Sequence, residues 1–249
     1  MNKQTKTHFG YKQVPVEEKQ KKVTAVFDSV AAKYNIMNDL MSAGIHRIWK
    51  RKTVHLANIR PGMKILDLAS GTADLVKLMA PKVGNKGSVI ASDINQSMLT
   101  IGKQHLIDAN IIHNVNFAIA NAESLCFKEN FFDRITIAFG LRNVTDKQTA
   151  LINIFKCLKP GGMLLILEFS KPVLPLLNAL YDLYSFNLLP KIGKWIANDE
   201  DSYQYLAESI RVHPDQETLR TMCLGAGFDE CNYLNFSGGI VALHRAFKY

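Results

Sequence analysis

At 249 residues, with 47% hydrophobic and 21% charged side chains, the chain can bury a full core, and it is too apolar for a disordered or fibrous class. Its four cysteines (Cys126, Cys157, Cys223 and Cys231) form no C-x-x-C pair, which argues against a disulfide scaffold and for reduced thiols in a cytoplasmic compartment. The net charge of +8 is uneven: residues 1–52 hold eleven Lys/Arg against four acids, so the rest is close to neutral and the basic flank invites an anionic partner, lipid headgroup or nucleic acid.

In chain order, Met1 to Val14 is polar and without periodicity, and reads as a mobile tail. Val16 to Met41 turns helical, with Val23, Val26, Phe27, Val30, Ala31 and Tyr34 near one face, and a second helical stretch runs from Ile45 to Ala57. These helices precede the first core strand, so we divide the chain into a tail and helical extension (1–57) and an α/β domain (58–249), one structural domain overall. After the turn signal Arg60-Pro61-Gly62, the apolar run Met63 to Leu68 is a buried strand. Asp67 stands near its end, and Ala69, Ser70, Gly71, Thr72 and Ala73 make a small-residue turn into a helix over Thr72–Lys82.

The alternation then repeats. Strand Ser88–Asp93 precedes helix Ile94–Ala109, and strand Val115–Ile119 precedes Asn121-Ala122-Glu123. Strand Asp133–Phe139 leads into Gly140-Leu141-Arg142-Asn143-Val144, and a helix capped at Thr145 or Asp146 ends at Lys159-Pro160-Gly161-Gly162. Strand Met163–Phe169 follows. Five strands alternating with helices imply a parallel sheet covered on both faces. Beyond Ser170 an apolar, aromatic insertion interrupts the alternation near 173–212; Pro175 and Asp182 break its longest apolar stretch, which argues against a membrane span. Helical stretches near Asp201–Arg211 and Asp215–Leu224 and two strand-like runs, Cys231–Phe236 and Ile240–Phe247, close the chain as an edge hairpin.

The first turn carries one glycine, Gly71, where a dinucleotide fingerprint needs three, so a pyrophosphate cradle is poorly supported. An acidic strand end before a small-residue turn suits a ligand with a positive end and no phosphate, such as S-adenosylmethionine; taken alone, the turn fits a plain strand-to-helix junction equally well. Asp93 at the next strand end adds a carboxylate able to accept from both hydroxyls of a ribose. Asn121 offers a donor and an acceptor suited to an adenine edge. No metal-ligand spacing occurs among the His and Cys residues, and His46 and His213 read as structural.

In these stretches the sequence resembles the ubiquinone/menaquinone biosynthesis C-methyltransferase family of class I S-adenosylmethionine-dependent methyltransferases. Gly140-Leu141-Arg142-Asn143-Val144 and Tyr205-Leu206-Ala207-Glu208-Ser209-Ile210 are the segments specific to that family; Val26 to Tyr34, Asn38 to Arg47 and His213-Pro214-Asp215-Gln216 match it too. The resemblance implies a Rossmann-like α/β fold, a seven-stranded, mostly parallel sheet with an antiparallel C-terminal strand and an N-terminal helical extension. It implies cofactor contacts at Thr72, Asp93 and the Asn121-Ala122 pair, to which we add Gly71 and Asp67. The chain departs from the family in two places: Ala73 replaces a glycine in the turn, and Ala138 replaces a serine that contacts the cofactor. We expect the turn to survive with Ala73, and one lost hydrogen bond at Ala138 to cost about 0.5–1.5 kcal/mol.

The implied reaction is methylation of a polyprenylated quinol ring carbon, benzoquinol, naphthoquinol or both. Such a carbon becomes strongly nucleophilic when a neighbouring hydroxyl loses its proton, so a cation should stabilise the phenolate. Arg142 is the candidate for that role, Asn143 for orienting a water or substrate oxygen, and Tyr34 for proton relay or ring positioning. The insertion Val173–Trp195 and the N-terminal helices are expected to form a lid and groove for the polyprenyl tail, while basic residues hold the enzyme near anionic lipid. The competing readings are methylation of another phenol or lipid-like molecule and, less well supported, nucleic-acid binding, for which no recognition module is present. No metal is expected. The opening residues carry no Arg- and Ser-rich leader, which leads us to expect a bacterial cytoplasmic protein, peripheral at most on the inner face of the membrane. A homodimer or association with other quinone-biosynthesis enzymes stays open.

Overall fold

The computed structural model describes residues 6–31, 36, 38, 39, 42, 44–173 and 200–249; Tyr34 and residues 174–199 of the apolar insertion lie outside the described residues. The strands are β1 (Lys6–Phe9), β2 (Lys12–Pro15), β3 (Lys64–Leu68), β4 (Ser88–Asp93), β5 (Val115–Ile119), β6 (Phe132–Ala138), β7 (Leu158–Phe169), β8 (Glu230–Phe236) and β9 (Val241–Lys248). The helices are α1 (Val16–Val30), α2 (His46–Leu56), α3 (Asp74–Val83), α4 (Gln96–Asp108), α5 (Lys147–Cys157), α6 (Glu200–Val212) and α7 (Gln216–Gly225).

The last seven strands form one sheet in the order β5-β4-β3-β6-β7-β9-β8. Pairing is parallel from β5 through β7, and β9 runs antiparallel to both neighbours. The expected sheet is therefore present. The closing hairpin adds at the β7 edge as expected, with β9 paired to β7 and β8 left as the exposed edge; Val241, Ala242, Leu243 and Ala246 of β9 are buried.

The sheet's strict alternation decides what each helix covers. Leu66, Leu68, Ile135, Ile137, Leu164 and Ile166 face α5 and α7. Met163, Leu165, Leu167, Val241 and Leu243 face α2 and α6 through Trp49, Tyr203, Leu206 and Ile210. Ile65, Val89 and Ala91 pack against α3 and α4. Helix starts are fixed by side-chain caps where the sequence offers them: Asn95 accepts from the Met98 amide, Asp146 from Thr149 and Asp215 from Thr218, each at 2.9–3.0 Å.

The reading of Met1 to Val14 as a mobile tail is corrected from Lys6 onward. Lys6–Phe9 and Lys12–Pro15 pair as an antiparallel hairpin around Gly10, whose φ of +58° suits glycine at the turn. Its four-residue strands are too short and too polar to announce themselves by periodicity. Packing holds them: the Phe9 ring stacks on Tyr205 of α6.

Candidate functional site

The strand order reverses between β3 and β6, and in open α/β sheets that switch point, at the carboxyl ends of the strands, is where ligands bind. Two residues that follow those strands, Ala69 and Phe139, stand side by side in the left-handed region, at φ +50° and +57°. Such backbone costs on the order of 1–2 kcal/mol per non-glycine residue, so it persists only where the surroundings enforce it. Phe139 is held from both sides of its peptide: its amide donates to the Leu167 carbonyl at 2.8 Å, and its carbonyl accepts from Arg142 Nη1. Gly140 has to be glycine here, since a Cβ would lie 2.3 Å from that of Ala69.

Two cavities open on either side of Ala69 and Phe139. The larger is a cleft of about 880 Å³, lined on the sheet side by Gly71, Asp93, Asn121, Ala122 and Asn143. Over it lies one face of α1, carrying Gln20, Val23, Thr24 and Phe27. The smaller, about 320 Å³, is lined by Lys50, Asp67, Ser70, Thr72, Asp74 and Ala138.

In the cleft, Asp93 is fixed by backbone donors: Gly71 to Oδ2 and Asn95 to Oδ1, both at 2.9 Å. Each oxygen keeps lone-pair capacity for one further donor, which matches the two hydroxyls of a ribose. Burial raises its pKa, and those same amides pull it back down. Asn121 accepts from the Glu123 amide through Oδ1 at 2.9 Å, which fixes the turn after β5.

In the smaller cavity Asp67 is buried, accepting from Thr136 Oγ1 at 2.5 Å and Ser70 Oγ at 2.7 Å. Burial pushes its pKa up to about 6, against the pull of those two hydroxyls and of Lys50. Lys50 arrives from α2, its side chain 9% exposed, and donates to Asp74 Oδ2 at 2.7 Å. A buried acid and a buried cation thus face one small space. That donor set fits the amino-acid end of S-adenosylmethionine, an ammonium and a carboxylate together. Ala73 takes φ +65° at the start of α3, so the turn holds an alanine in a conformation that favours glycine.

The structure brings Asp67, Gly71, Thr72, Asp93, Asn121, Ala122, Ala138 and Asn143 to these two cavities. Arg142 is placed behind the cleft wall. It is buried, its Nη1 pairing with Glu168 Oε1 at 2.9 Å, and its Nε–H has no partner among the described residues. Sequence reasoning missed Lys50, Thr136, Glu168 and Tyr205, the last donating its hydroxyl to Asn143 Oδ1 at 3.0 Å. Tyr205 carried a signal as part of a family-specific segment, and Glu168 as the acid near the end of the fifth strand.

The sequence model of the ubiE/COQ5 methyltransferase family matches residues 15–248. The chain is 61% identical over 241 residues to the ubiquinone/menaquinone biosynthesis C-methyltransferase UbiE of Hydrogenovibrio crunogenus, covering 97% of this chain and 95% of that one. It is 59% identical to the protein of the same name from Vibrio cholerae, over 99% of this chain and 95% of the other. Among solved structures, a SAM-dependent methyltransferase from Aquifex aeolicus superposes with a TM-score of 0.59 at 16% identity, covering 85% of this chain and 96% of that one, a likeness of fold. On the match over nearly its full length, the chain belongs to the ubiE/COQ5 methyltransferase family.

Proposed function

We propose that this chain transfers the methyl group of S-adenosylmethionine to a ring carbon of a polyprenylated quinol, in menaquinone or ubiquinone biosynthesis or both. The reading is carried by one observation: acids at the ends of adjacent strands, Asp67 and Asp93, line two neighbouring cavities at the switch point of a chain whose near full-length relatives bear that activity in their names. When bound, S-adenosylmethionine supplies an electrophilic methyl group on a sulfonium.

The chain's residues do the rest. Asp93 accepts from the ribose hydroxyls, and Asn121 and Ala122 border the adenine. Asp67 faces the ammonium and Lys50 the carboxylate of the amino-acid end, while Thr72 and Ala138 shape that cavity. Asn143, on the cleft wall, meets the substrate oxygen. Arg142, one residue behind it, is a permanent cation whose Nε–H is uncommitted, and it favours the phenolate over the phenol. The α1 face bearing Val23 and Phe27 excludes water from the ring, and Val144 and Ile137 extend the apolar wall. The basic flank and the exposed Ile45 and Ile48 keep the enzyme at an anionic lipid surface where a polyprenyl substrate resides. Two further expectations, Tyr34 in proton relay or ring positioning and the insertion Val173–Trp195 as lid and groove, fall on residues outside those described, Val173 apart.

The test is transfer of label from S-adenosylmethionine to reduced short-tail demethylmenaquinol and to the methoxy-benzoquinol precursor. We expect product from the wild type and a loss of 100-fold order in Arg142→Ala and Asn143→Ala, with S-adenosylhomocysteine binding retained. No product from either acceptor, with normal cofactor binding, would overturn the substrate assignment.

A further inference from the structure

The N-terminal hairpin reaches the cleft through a short relay of contacts. At one end Phe9 of β1 stacks on the ring of Tyr205, with centroids 4.3 Å apart and planes 19° from parallel. Beside it the Tyr11 amide donates to Glu208 Oε2 at 3.0 Å, and Gln204 donates to the other oxygen of that carboxylate at 2.8 Å. Gly10 lies so close that a Cβ would be 2.2 Å from Glu208 Oε2, so the hairpin is seated on α6 at one position. At the other end the Tyr205 hydroxyl donates to Asn143 Oδ1 at 3.0 Å, and Asn143 lines the cleft. An amide has one acceptor oxygen and one NH2. Oδ1 accepts from Tyr205 and keeps one lone pair, while the NH2 makes no hydrogen bond among the described residues and is the donor left for a cleft ligand. Burial raises the Tyr205 pKa to about 12, so the hydroxyl keeps its proton and stays a donor throughout the working range.

We propose that Tyr205 is a positioning residue for methyl transfer: braced by the N-terminal hairpin through Phe9, its hydroxyl fixes the Asn143 amide so that the NH2 group meets the developing phenolate. A donor there stabilises negative charge; a flipped amide would present an oxygen and oppose it. This rests on the reading that Asn143 meets the substrate oxygen, and it gives the Tyr205–Glu208 pair of the family-specific segment a shared task. One residue aims the amide and the other seats the hairpin that steadies the aim.

The test uses the full chain and compares Tyr205→Phe, Phe9→Ala, Phe9→Tyr, the Phe9→Ala/Tyr205→Phe double variant and Asn143→Ala. Steady-state methyl transfer and calorimetric binding of S-adenosylhomocysteine are measured for each. Tyr205→Phe keeps the ring and the stack, and we expect kcat to fall about tenfold, the worth of one oriented hydrogen bond, with cofactor affinity unchanged within about twofold. Phe9→Ala should lower kcat several-fold, Phe9→Tyr should restore it, and the double variant should be no slower than Tyr205→Phe alone. Wild-type kcat in Tyr205→Phe alongside a slow Asn143→Ala overturns the positioning role and leaves the site reading standing. Full activity in Asn143→Ala overturns the site reading itself. An equal loss from Phe9→Ala in both backgrounds overturns the link to the hairpin.

Discussion

The acid at the end of β3 has a charge state that the fold controls, and its consequence for stability has a definite sign. Asp67 titrates near 6 in the folded chain against 3.8 for an unperturbed aspartate. Between those values the native state binds a proton that the unfolded chain has released, so this group's contribution falls as pH rises from about 4 to 6 and stays low above. The full penalty is about 3 kcal/mol from the size of the shift. We expect Asp67→Asn to be more stable than the wild type at pH 8, with the gap reduced to about a third at pH 4.5, as read by thermal unfolding without ligand. A gap of the same size at both pH values would show that Asp67 does not titrate in this window. On the proposed reading a cationic ligand end would recover this penalty: an ionised Asp67 beside an ammonium is worth more in a buried cavity than in water. Affinity for the methyl donor should accordingly rise through pH 6 in the wild type and lose that rise in Asp67→Asn. Lys50 bears the opposite charge within the same cavity, and its pairing with Asp74 keeps the buried cation compensated before any ligand arrives.

At the scale of elements, the first turn is shaped as much by α4 as by its own residues. Gly102 lies in the middle of α4, where glycine is unfavourable by about 0.8–1.0 kcal/mol relative to alanine. The reason for it is contact: a Cβ there would lie 2.7 Å from the Gly71 carbonyl oxygen and 3.1 Å from Ala73 Cβ. Gly102→Ala should therefore destabilise the protein by about 1–2 kcal/mol, overpacking outweighing the gain in helix propensity. It should also weaken S-adenosylhomocysteine binding, because the displaced Gly71 amide holds Asp93. Thermal unfolding and calorimetry check both; a more stable variant with unchanged binding would refute the contact argument. Gly102 also marks the limit of what the sequence discloses. The β3 turn and the two strand-end acids were legible because apolar runs, turn residues and cap residues act over a few positions, and all five alternating strands lie near their expected places. Lys50 to Asp74, Tyr205 to Asn143 and Thr136 to Asp67 were not legible, being 24, 62 and 69 residues apart and joined only by packing. Arg142 shows the intermediate case. Its place beside the cleft followed from the motif, but its pairing with Glu168 depends on β6 and β7 lying in register, Ala138 opposite Leu167.

For the molecule as a whole, charge and exposed apolar surface fall on the same side of the chain's organisation. Residues 1–52 hold a net +7 of the total +8. The exposed face of α2 bears Arg47, Ile48, Arg51, Lys52 and His55, with Ile45 exposed just before it. Ile48 is 52% exposed, unusual for an isoleucine on a helix whose other face packs Trp49 and Val54 into the core. Among the described residues no helix is long and apolar enough to cross a bilayer. Cations flanking an exposed isoleucine suit the headgroup boundary, each Lys or Arg near an anionic surface contributing about 1 kcal/mol. Arg47 is the least available, since Asp39 holds it at 2.7 Å. Arg51 and Lys52 are therefore the informative pair. Replacing both with Gln should weaken binding to vesicles containing anionic phospholipid by about 30-fold, the product of two such contributions, and leave methyl transfer to a short-tail acceptor in solution unchanged. Ile48→Ser should reduce vesicle binding without altering its salt dependence, which separates the apolar share from the electrostatic one. Sedimentation with anionic and with neutral vesicles, each at low and at high salt, reads both. Equal retention on the two lipids, or retention indifferent to salt, would mean that the basic flank serves something other than a membrane, and the polyprenyl substrate would then have to be met away from the bilayer.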